Sequence, residues 1–445
     1  MRADSVLVVG GGLAGSEAAW QLAEAGIEVV LAEMRPVRPT PVHRSDLLAE
    51  LVCSNSLRGD ASTNAVGVLK AEMEAAGSLI IREARAAAVP AGGALAVDRG
   101  IFASRVTAAI SDHPMINIER REVVSLPEGP AIIATGPLTA PDLHRALVAF
   151  LGEDALSFFD AVAPIVAADS LDTSRLFRAS RYGKGGGADY LNSPLDREAY
   201  ERFVDAVVAA ERVPFKDFEA KDMRYFEGCL PIEEMASRGP DTLRFGPMKP
   251  VGLLDPTTGR RPWAVVQLRQ EDLAAENWNM VGFQTKLTRP EQMRVFRLLP
   301  GLEAARFVRF GMIHRNTFVN APRHLDELLR IRRRPDLRLA GQITGVEGYV
   351  ESAATGLIAA LTLVAELAGT KPVPPPSETA LGGLMRHLAQ SNAATFQPSN
   401  INWGLITLPP EALGIRDRHE RRQRHAAHAL ELSRAWVGGL GRHLS

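Results

Sequence analysis

The chain has 445 residues, a formal net charge of -1, 46% hydrophobic residues and 23% charged residues. That length suggests about two or three domains at roughly 150 residues each, and the composition is that of a globular protein able to bury a large core. The two cysteines, neither in a CxxC pair, argue against a disulfide scaffold, a zinc site of the usual spacing and a dithiol redox motif, while overall charge leaves any polyanion contact to local patches.

The opening "MRADSVLVVGGG" runs straight into a strand pattern. It has no basic region, long apolar stretch or cleavage site of a signal peptide. No run of 18 or more apolar residues suggests a membrane span. A cytoplasmic, reducing location is therefore expected.

Ser5 to Val9 reads as a buried strand ending in glycines, "SEAAWQLAEAG" as a helix stopped by Gly26, and Ile27 to Glu33 as a second apolar strand. Together they predict a βαβ unit opening a doubly wound parallel sheet. Between strand and helix, Gly10, Gly12 and Gly15 form G-x-G-x-x-G, with Gly11, Leu13 and Ala14 completing the loop. The first glycine permits the turn, the second lets backbone approach a pyrophosphate, and the third lets helix pack on strand. Free N–H groups at the helix start face the phosphates. Glu33, 18 residues after Gly15, is placed to accept from ribose hydroxyls. This fingerprint serves both NAD and FAD.

Further along, Pro130 to Pro137 predicts a short strand ending at a glycine, and Leu337 to Gly369 a strand, a glycine-rich turn and a long alanine-rich helix. A sheet-completing element this late implies an insertion. The expected fold is α/β: a discontinuous, Rossmann-like FAD-binding domain (1–149 plus 307–372), an inserted α+β domain (150–306) and a small helical C-terminal segment (373–445). A proline-rich break, Gly369 to Glu378, precedes that tail. The "ATG" strand end and the late "AGQITGVEGYVESAATG", with Gly341, Gly345 and Glu347, resemble two-part FAD-binding flavoproteins. "YGKGGGADY" has no strand leading in and reads as a mobile loop, so no separate NAD(P)H domain is expected.

The cysteines are Cys53, in "LVCSNSL", and Cys229, in "YFEGCLP". On residue type alone each is either inert packing or a nucleophile; free cysteine is among the most buried residue types. The ordered segments "VVGGGLAGSEAAWQLAEAGIEVVLAEMRP", "HRSDLLAELVCSNSL", "FGPMKPVGL", "VVQLRQED", "VGFQTKL", "HRNTFVNAP", "GVEGYVESAATG" and "NINWGL" resemble the folate- and flavin-dependent tRNA uracil-5 methyltransferases, nearly end to end. The resemblance implies FAD, 5,10-methylenetetrahydrofolate and NAD(P)H as cofactors and the tRNA T-arm as partner, with no membrane or DNA partner. It also implies one-carbon transfer to uracil carbon 5 after a cysteine thiolate adds to carbon 6. Cys229 fits the nucleophile and Cys53 an assisting residue near the flavin. Chemistry agrees in kind: the addition makes carbon 5 nucleophilic, and a base must then take its proton.

At matched positions, Tyr349 either stacks or donates near the flavin, or caps the core. Glu347 and Glu351 beside it are bases or helix-start carboxylates. His314 and Arg315 are candidates for folate or RNA, against a structural histidine. Trp278 is a stacking platform or core, and Lys249 a folate or phosphate contact or a solvated lysine. The arginines of "RDRHERRQRHAAHALELSRAW" and "RIRRRPD" either meet RNA phosphates or line a solvated face. Ser193 stands where the family often has cysteine, and the glycines around Lys184 leave that lysine without a defined role. A generic FAD-dependent NAD(P)H oxidoreductase, the sister class modifying the tRNA wobble uridine, and a non-catalytic tRNA-binding flavoprotein are the alternatives.

Overall fold

The computed structural model describes residues 5–152, 156–214 and 230–440, with backbone only for 156–161 and 313–315. The elements that position the site begin with β1 (Val6–Val9), α1 (Leu13–Glu24), β2 (Val29–Glu33), α2 (Ala65–Ala75), β3 (Ile116–Arg120) and β4 (Ala131–Ile133). Then come β5 (Leu156–Val162), β6 (Ile165–Ala167), β7 (Phe177–Arg178), β8 (Tyr190–Leu195), α3 (Arg197–Ala209), β9 (Ala264–Gln270), β10 (Asn277–Met280), β11 (Phe307–Arg309) and β12 (Met312–Phe318). Last are β13 (Arg330–Ile331), β14 (Arg334–Leu339), α4 (Tyr349–Leu367), α5 (Ala380–Gln390) and α6 (Arg418–Gly439).

The first sheet has the order β13-β14-β4-β1-β2-β3. It is parallel from β14 to β3, with β13 antiparallel at one edge. The apolar run "VLVV" makes β1 central: Val6 and Val8 are fully buried, because helices cover both faces of such a sheet. Leu337 pairs with Ala131 and Leu339 with Ile133, so the late strand completes the early sheet. The expected discontinuous, doubly wound domain is what forms.

Two glycines set how closely α1 packs, Gly15 against the loop after β1 and Gly356 between α1 and α4. A Cβ on Gly15 would lie 1.7 Å from the Gly10 carbonyl oxygen, and one on Gly356 would lie 2.1 Å from that of Ala14. Helix α4 is long and apolar enough to cross a membrane, but 83% of its apolar window is buried in the protein, which marks it as a core helix.

The second sheet is antiparallel, in the order β7-β8-β9-β10-β6-β11. It packs on α3 through a core that includes Phe203, Phe283 and Phe296. Strand β11 pairs with β6, so Phe307–Arg309 lies in this sheet, beyond the boundary expected at residue 306. The chain leaves the first domain along β5 and returns along β12, paired antiparallel with it from Leu156↔Phe318 to Val162↔Met312.

The C-terminal segment is not a separate body. Leu381, Leu384, Ala429 and Trp436 share the first domain's core. Buried Glu72 on α2 accepts from the N–H groups of Ala380 (2.8 Å) and Leu381 (2.9 Å), satisfying the start of α5. The Trp436 indole N–H donates to the Val373 carbonyl at 2.9 Å, pinning the proline-rich break.

The α1–α4 contact gives a first prediction. Gly356→Ala forces the helices apart and is expected to destabilise the protein by about 1–3 kcal/mol, read as a lower midpoint in urea denaturation.

Candidate active site

The C-terminal ends of the parallel strands open a cleft of about 1040 Å³, lined by residues including Gly10, Gly12, Glu33, His43, Gly341 and Tyr349. Its place at the strand ends is where doubly wound folds bind ligands. Gly12 starts α1 with no side-chain cap, and a Cβ there would meet no atom within 4 Å. Backbone at Gly12 is thus open to a pyrophosphate, with the unpaired N–H groups of the helix start behind it. Leu13 and Ala14 line the cleft; Gly11 and Gly15 shape the loop beneath.

Glu33 does more than await a ribose. One carboxylate oxygen accepts from the Gly11 N–H at 2.7 Å, and the other from the Arg35 N–H and Nε, each at 2.9 Å. Burial works to raise its pKa, but Arg35 and these donors outweigh it and hold the carboxyl below its ordinary value. An ionised carboxylate has about four acceptor sites, so sugar hydroxyls can still be received. These residues fit a dinucleotide of the FAD type.

Of the late segment, Gly341 lines the cleft, whereas a Cβ on Gly345 would press on the Phe396 ring at 2.6 Å. Glu347 accepts from Gln342 Nε2 at 2.7 Å and so braces a cleft residue. Buried Glu351 pairs with Arg58 and accepts from the Ile401 N–H at 2.9 Å, a structural use of a helix-start acid.

Tyr349, at the first turn of α4, joins the cleft to the Cys53 loop. Its hydroxyl oxygen accepts from the N–H groups of Cys53 (2.7 Å) and Ser54 (3.0 Å). Burial, and then the Cys53 sulfur, push its pKa well up, so the phenol is neutral. With both acceptor positions used, its proton is available to another partner.

The other side of this loop is held by the second domain. Arg269 donates through Nε to Asn55 Oδ1 and through Nη2 to Ser54 Oγ, both at 2.8 Å. Asn55 Nδ2 donates to the carbonyls of Val97 (3.0 Å) and Gln270 (2.9 Å). Arg99 pairs with Glu271 at 2.8 Å and donates to the Leu51 carbonyl at 3.1 Å. Sequence reasoning missed these residues because they lie on a loop, a helix start and a strand far apart in the chain. It also missed Arg35 and His43.

Other candidates fall elsewhere. Cys229 lies outside the described residues, as do the side chains of His314 and Arg315, whose backbones pair with Asp160 and Phe159 across β12 and β5. Trp278 is 1% exposed, donates its indole N–H to the Ala275 carbonyl at 3.0 Å and carries Arg178 over its ring, so it is core and not a stacking platform. Lys249 lines a different hollow with Arg244, Phe245 and Trp263. Buried Ser193 donates to the Pro300 carbonyl at 2.7 Å. The loop expected to be mobile around Lys184 is tied down: Asp189 accepts from the N–H groups of Gly92 (2.7 Å) and Gly186 (3.2 Å). In "RIRRRPD", Arg330 pairs with Asp326 and Glu366, Arg333 donates to the Phe150 carbonyl and Arg334 to that of Pro127, so these arginines serve the fold. Among the described residues no His/Cys/Asp/Glu group has the arrangement of a metal site.

His43, on the cleft wall, shares a 2.6 Å hydrogen bond with Thr40 Oγ1. Burial, followed by the Arg35 charge, pushes its pKa from the ordinary value of 6.5 down to about 4. The stabilisation from its neutral ring is therefore complete above about pH 6.5 and is lost as pH falls through about 4. Urea denaturation over that window is expected to fall more steeply for the wild type than for His43→Gln.

A family model described as Glucose inhibited division protein A matches residues 5–371. The methylenetetrahydrofolate–tRNA-(uracil-5-)-methyltransferase TrmFO of Geobacter sulfurreducens is 57% identical over 434 residues, covering 97% of this chain and 99% of that one. That of Paramagnetospirillum magneticum is 56% identical over 441 residues, covering 97% and 98%. Among solved structures, Aquifex aeolicus GidA has a TM-score of 0.68 at 16% identity, covering 97% of this chain and 74% of that one, a likeness of fold. With the nucleotide cleft, the clamped Cys53 loop and this near-complete match together, the chain belongs to the TrmFO family.

Proposed function

We propose that this protein methylates carbon 5 of a T-loop uridine in tRNA, giving ribothymidine, with 5,10-methylenetetrahydrofolate as one-carbon donor, bound FAD and NAD(P)H as reductant. The observation that carries this reading is the position of the Cys53 loop: Tyr349 ties it to the nucleotide cleft, and Arg269 ties it to the inserted domain. Such a junction brings a thiol, a redox cofactor and a substrate domain together. Relatives that are 57% identical along almost the whole chain carry the matching activity in their names, which the oxidoreductase and wobble-uridine readings leave unexplained.

Gly10, Gly12, Leu13, Ala14, Glu33 and Gly341 would hold the FAD. Bound there, FAD supplies the electrons that turn a transferred methylene into a methyl group. The chain's own part is covalent and acid–base chemistry. A thiolate, assigned to Cys229, adds to carbon 6 of uracil and makes carbon 5 nucleophilic. Cys53 is assigned as its partner for proton handling, on the loop that Arg99 and Arg269 hold in place. Neutral Tyr349 keeps the Cys53 backbone in place and offers its proton within the same junction. His314 and Arg315 remain the candidates for folate. The exposed arginines Arg416, Arg418 and Arg424, around the start of α6, suit RNA phosphates and would supply affinity without reading sequence. A cytoplasmic location accords with this activity.

The test is transfer of a labelled methylene carbon from folate to a T-arm transcript. The wild type is expected to transfer label with NAD(P)H present; flavin bleaching without transfer would refute the reading. Cys229→Ala is expected to lower turnover by at least about a thousandfold while FAD absorbance is retained. Undiminished turnover would remove Cys229 from the nucleophile's role.

A further inference from the structure

The hollow that Lys249 shares with Arg244, Phe245, Arg261 and Trp263 lies on the inserted domain, apart from the nucleotide cleft. Its floor is fixed: the Arg244 guanidinium lies 3.6 Å over the Trp263 ring, donates to the Trp263 carbonyl at 3.0 Å and pairs with Asp241. Its rim is open. The Phe245 ring is 79% exposed, although burying it within the domain would be favourable. Lys249 and Arg261 are exposed and have no carboxylate partner among the described residues. By contrast Arg175, Arg197, Arg202, Arg294 and Arg306, exposed on the same domain, each keep one. Free cations and a bare aromatic ring about one hollow match a nucleic-acid strand, which offers phosphates to the cations and base faces to the ring.

Two connections lead from this hollow toward the cysteines. On one side Phe245 also lines a second hollow with Leu230, the residue after Cys229. On the other side Val251, at the hollow's edge, is followed by Gly252, whose carbonyl accepts from the Tyr182 N–H at 3.0 Å. The Tyr182 ring is 68% exposed, and a Cβ on Gly252 would lie 3.0 Å from it. Lys184 comes next, exposed and also without a carboxylate partner among the described residues, with its stem against Gly93 of the first domain. From there the short strand Ala94–Val97 leads to Asn55, which donates to the Val97 carbonyl beside the Cys53 loop. Strand β9 gives the scale: from Trp263 to Arg269, which holds Ser54, extended chain runs roughly 20 Å. At about 3.4 Å per stacked nucleotide, that is a stretch of about six nucleotides.

We propose that this hollow is a docking site for the RNA strand that carries the target uridine. Lys249 and Arg261 receive backbone phosphates, and the Phe245 ring stacks on an unpaired base of the loop, while the target uridine lies at the Cys53 loop. The assignment rests on the methyltransferase reading above and adds to it where the RNA lies. Phosphate contacts fix register and orientation without reading sequence. A ring face accepts any base, because every base has a π-face. The hollow therefore positions the arm and leaves the choice of uridine to the groups around the cysteines.

The experiment uses the FAD-loaded enzyme with methylenetetrahydrofolate, NADPH and a fluorescein-labelled T-arm transcript. Binding is read by anisotropy across a salt series, and turnover by transfer of the labelled methylene carbon. The wild type is expected to bind less tightly as salt rises. Lys249→Ala and Arg261→Ala are each expected to lower the slope of log Kd against log salt by about 0.7. Phe245→Ala is expected to raise KM for the transcript about tenfold, with kcat, melting temperature and FAD absorbance retained. Phe245→Tyr keeps a ring and is expected to hold the wild-type KM. An unchanged salt slope in both cation variants, or an unchanged transcript KM in Phe245→Ala, overturns the assignment. So does a raised KM for methylenetetrahydrofolate polyglutamate with the transcript KM unchanged, which would place the folate tail in the hollow. Loss of a dimer in Phe245→Ala with RNA binding unchanged overturns it too, making the hollow a contact between copies of this chain. Failure of the wild type to bind or methylate the transcript overturns the methyltransferase reading, and this assignment with it.

Discussion

The phenolic oxygen of Tyr349 and the guanidinium of Arg269 grip adjacent parts of one short loop from opposite sides. The phenol belongs to the start of a core helix of the nucleotide domain, the guanidinium to a central strand of the inserted domain. Every bond in this grip satisfies a polar group that burial would otherwise leave exposed to a low dielectric. The loop between Leu51 and Asn55 is therefore fixed by two domains at once. Neither domain alone could hold Cys53 where the nucleotide cleft ends.

The parallel sheet was legible because its signals are local. "VLVV", the three spaced glycines and "VVLAE" each carry a period or a turn requirement that neighbours in sequence can express. The late strand was legible for the same reason, as apolar residues ahead of a glycine turn. The Cys53 clamp was not. Asn55 and Arg269 are 214 positions apart, and nothing in the local pattern of either says that they meet. Trp278 shows the converse: an aromatic residue on a strand has the same sequence appearance whether its ring faces a ligand or the core, and here the core surrounds it. "RIRRRPD" misled as a charge run because its partners, Asp326 and Glu366, come from outside the run.

Charge is distributed unevenly about the junction. In the nucleotide cleft, Glu33 with Arg35 makes a compensated pair, suited to a ligand held through hydroxyls and backbone N–H groups. At the Cys53 loop, Arg99 and Arg269 sit together with Glu271 as the paired carboxylate, so arginine outnumbers paired carboxylate there. A chain with a net charge of -1 can thus still gather positive charge locally.

The capping of α5 by Glu72 bears on where this protein can be cut. In sequence the proline-rich break between Gly369 and Glu378 looks like the end of a folding unit, and the helices beyond it look like an appendage. In the fold it is a return path: α5 brings its first N–H groups back to a carboxyl group buried on α2. Truncation at the break would leave that acid in an apolar interior with nothing to bind, and would strip the covering from α2. The tail is thus an architectural element of the flavin half, and a shortened version of this enzyme would need Glu72 replaced as well.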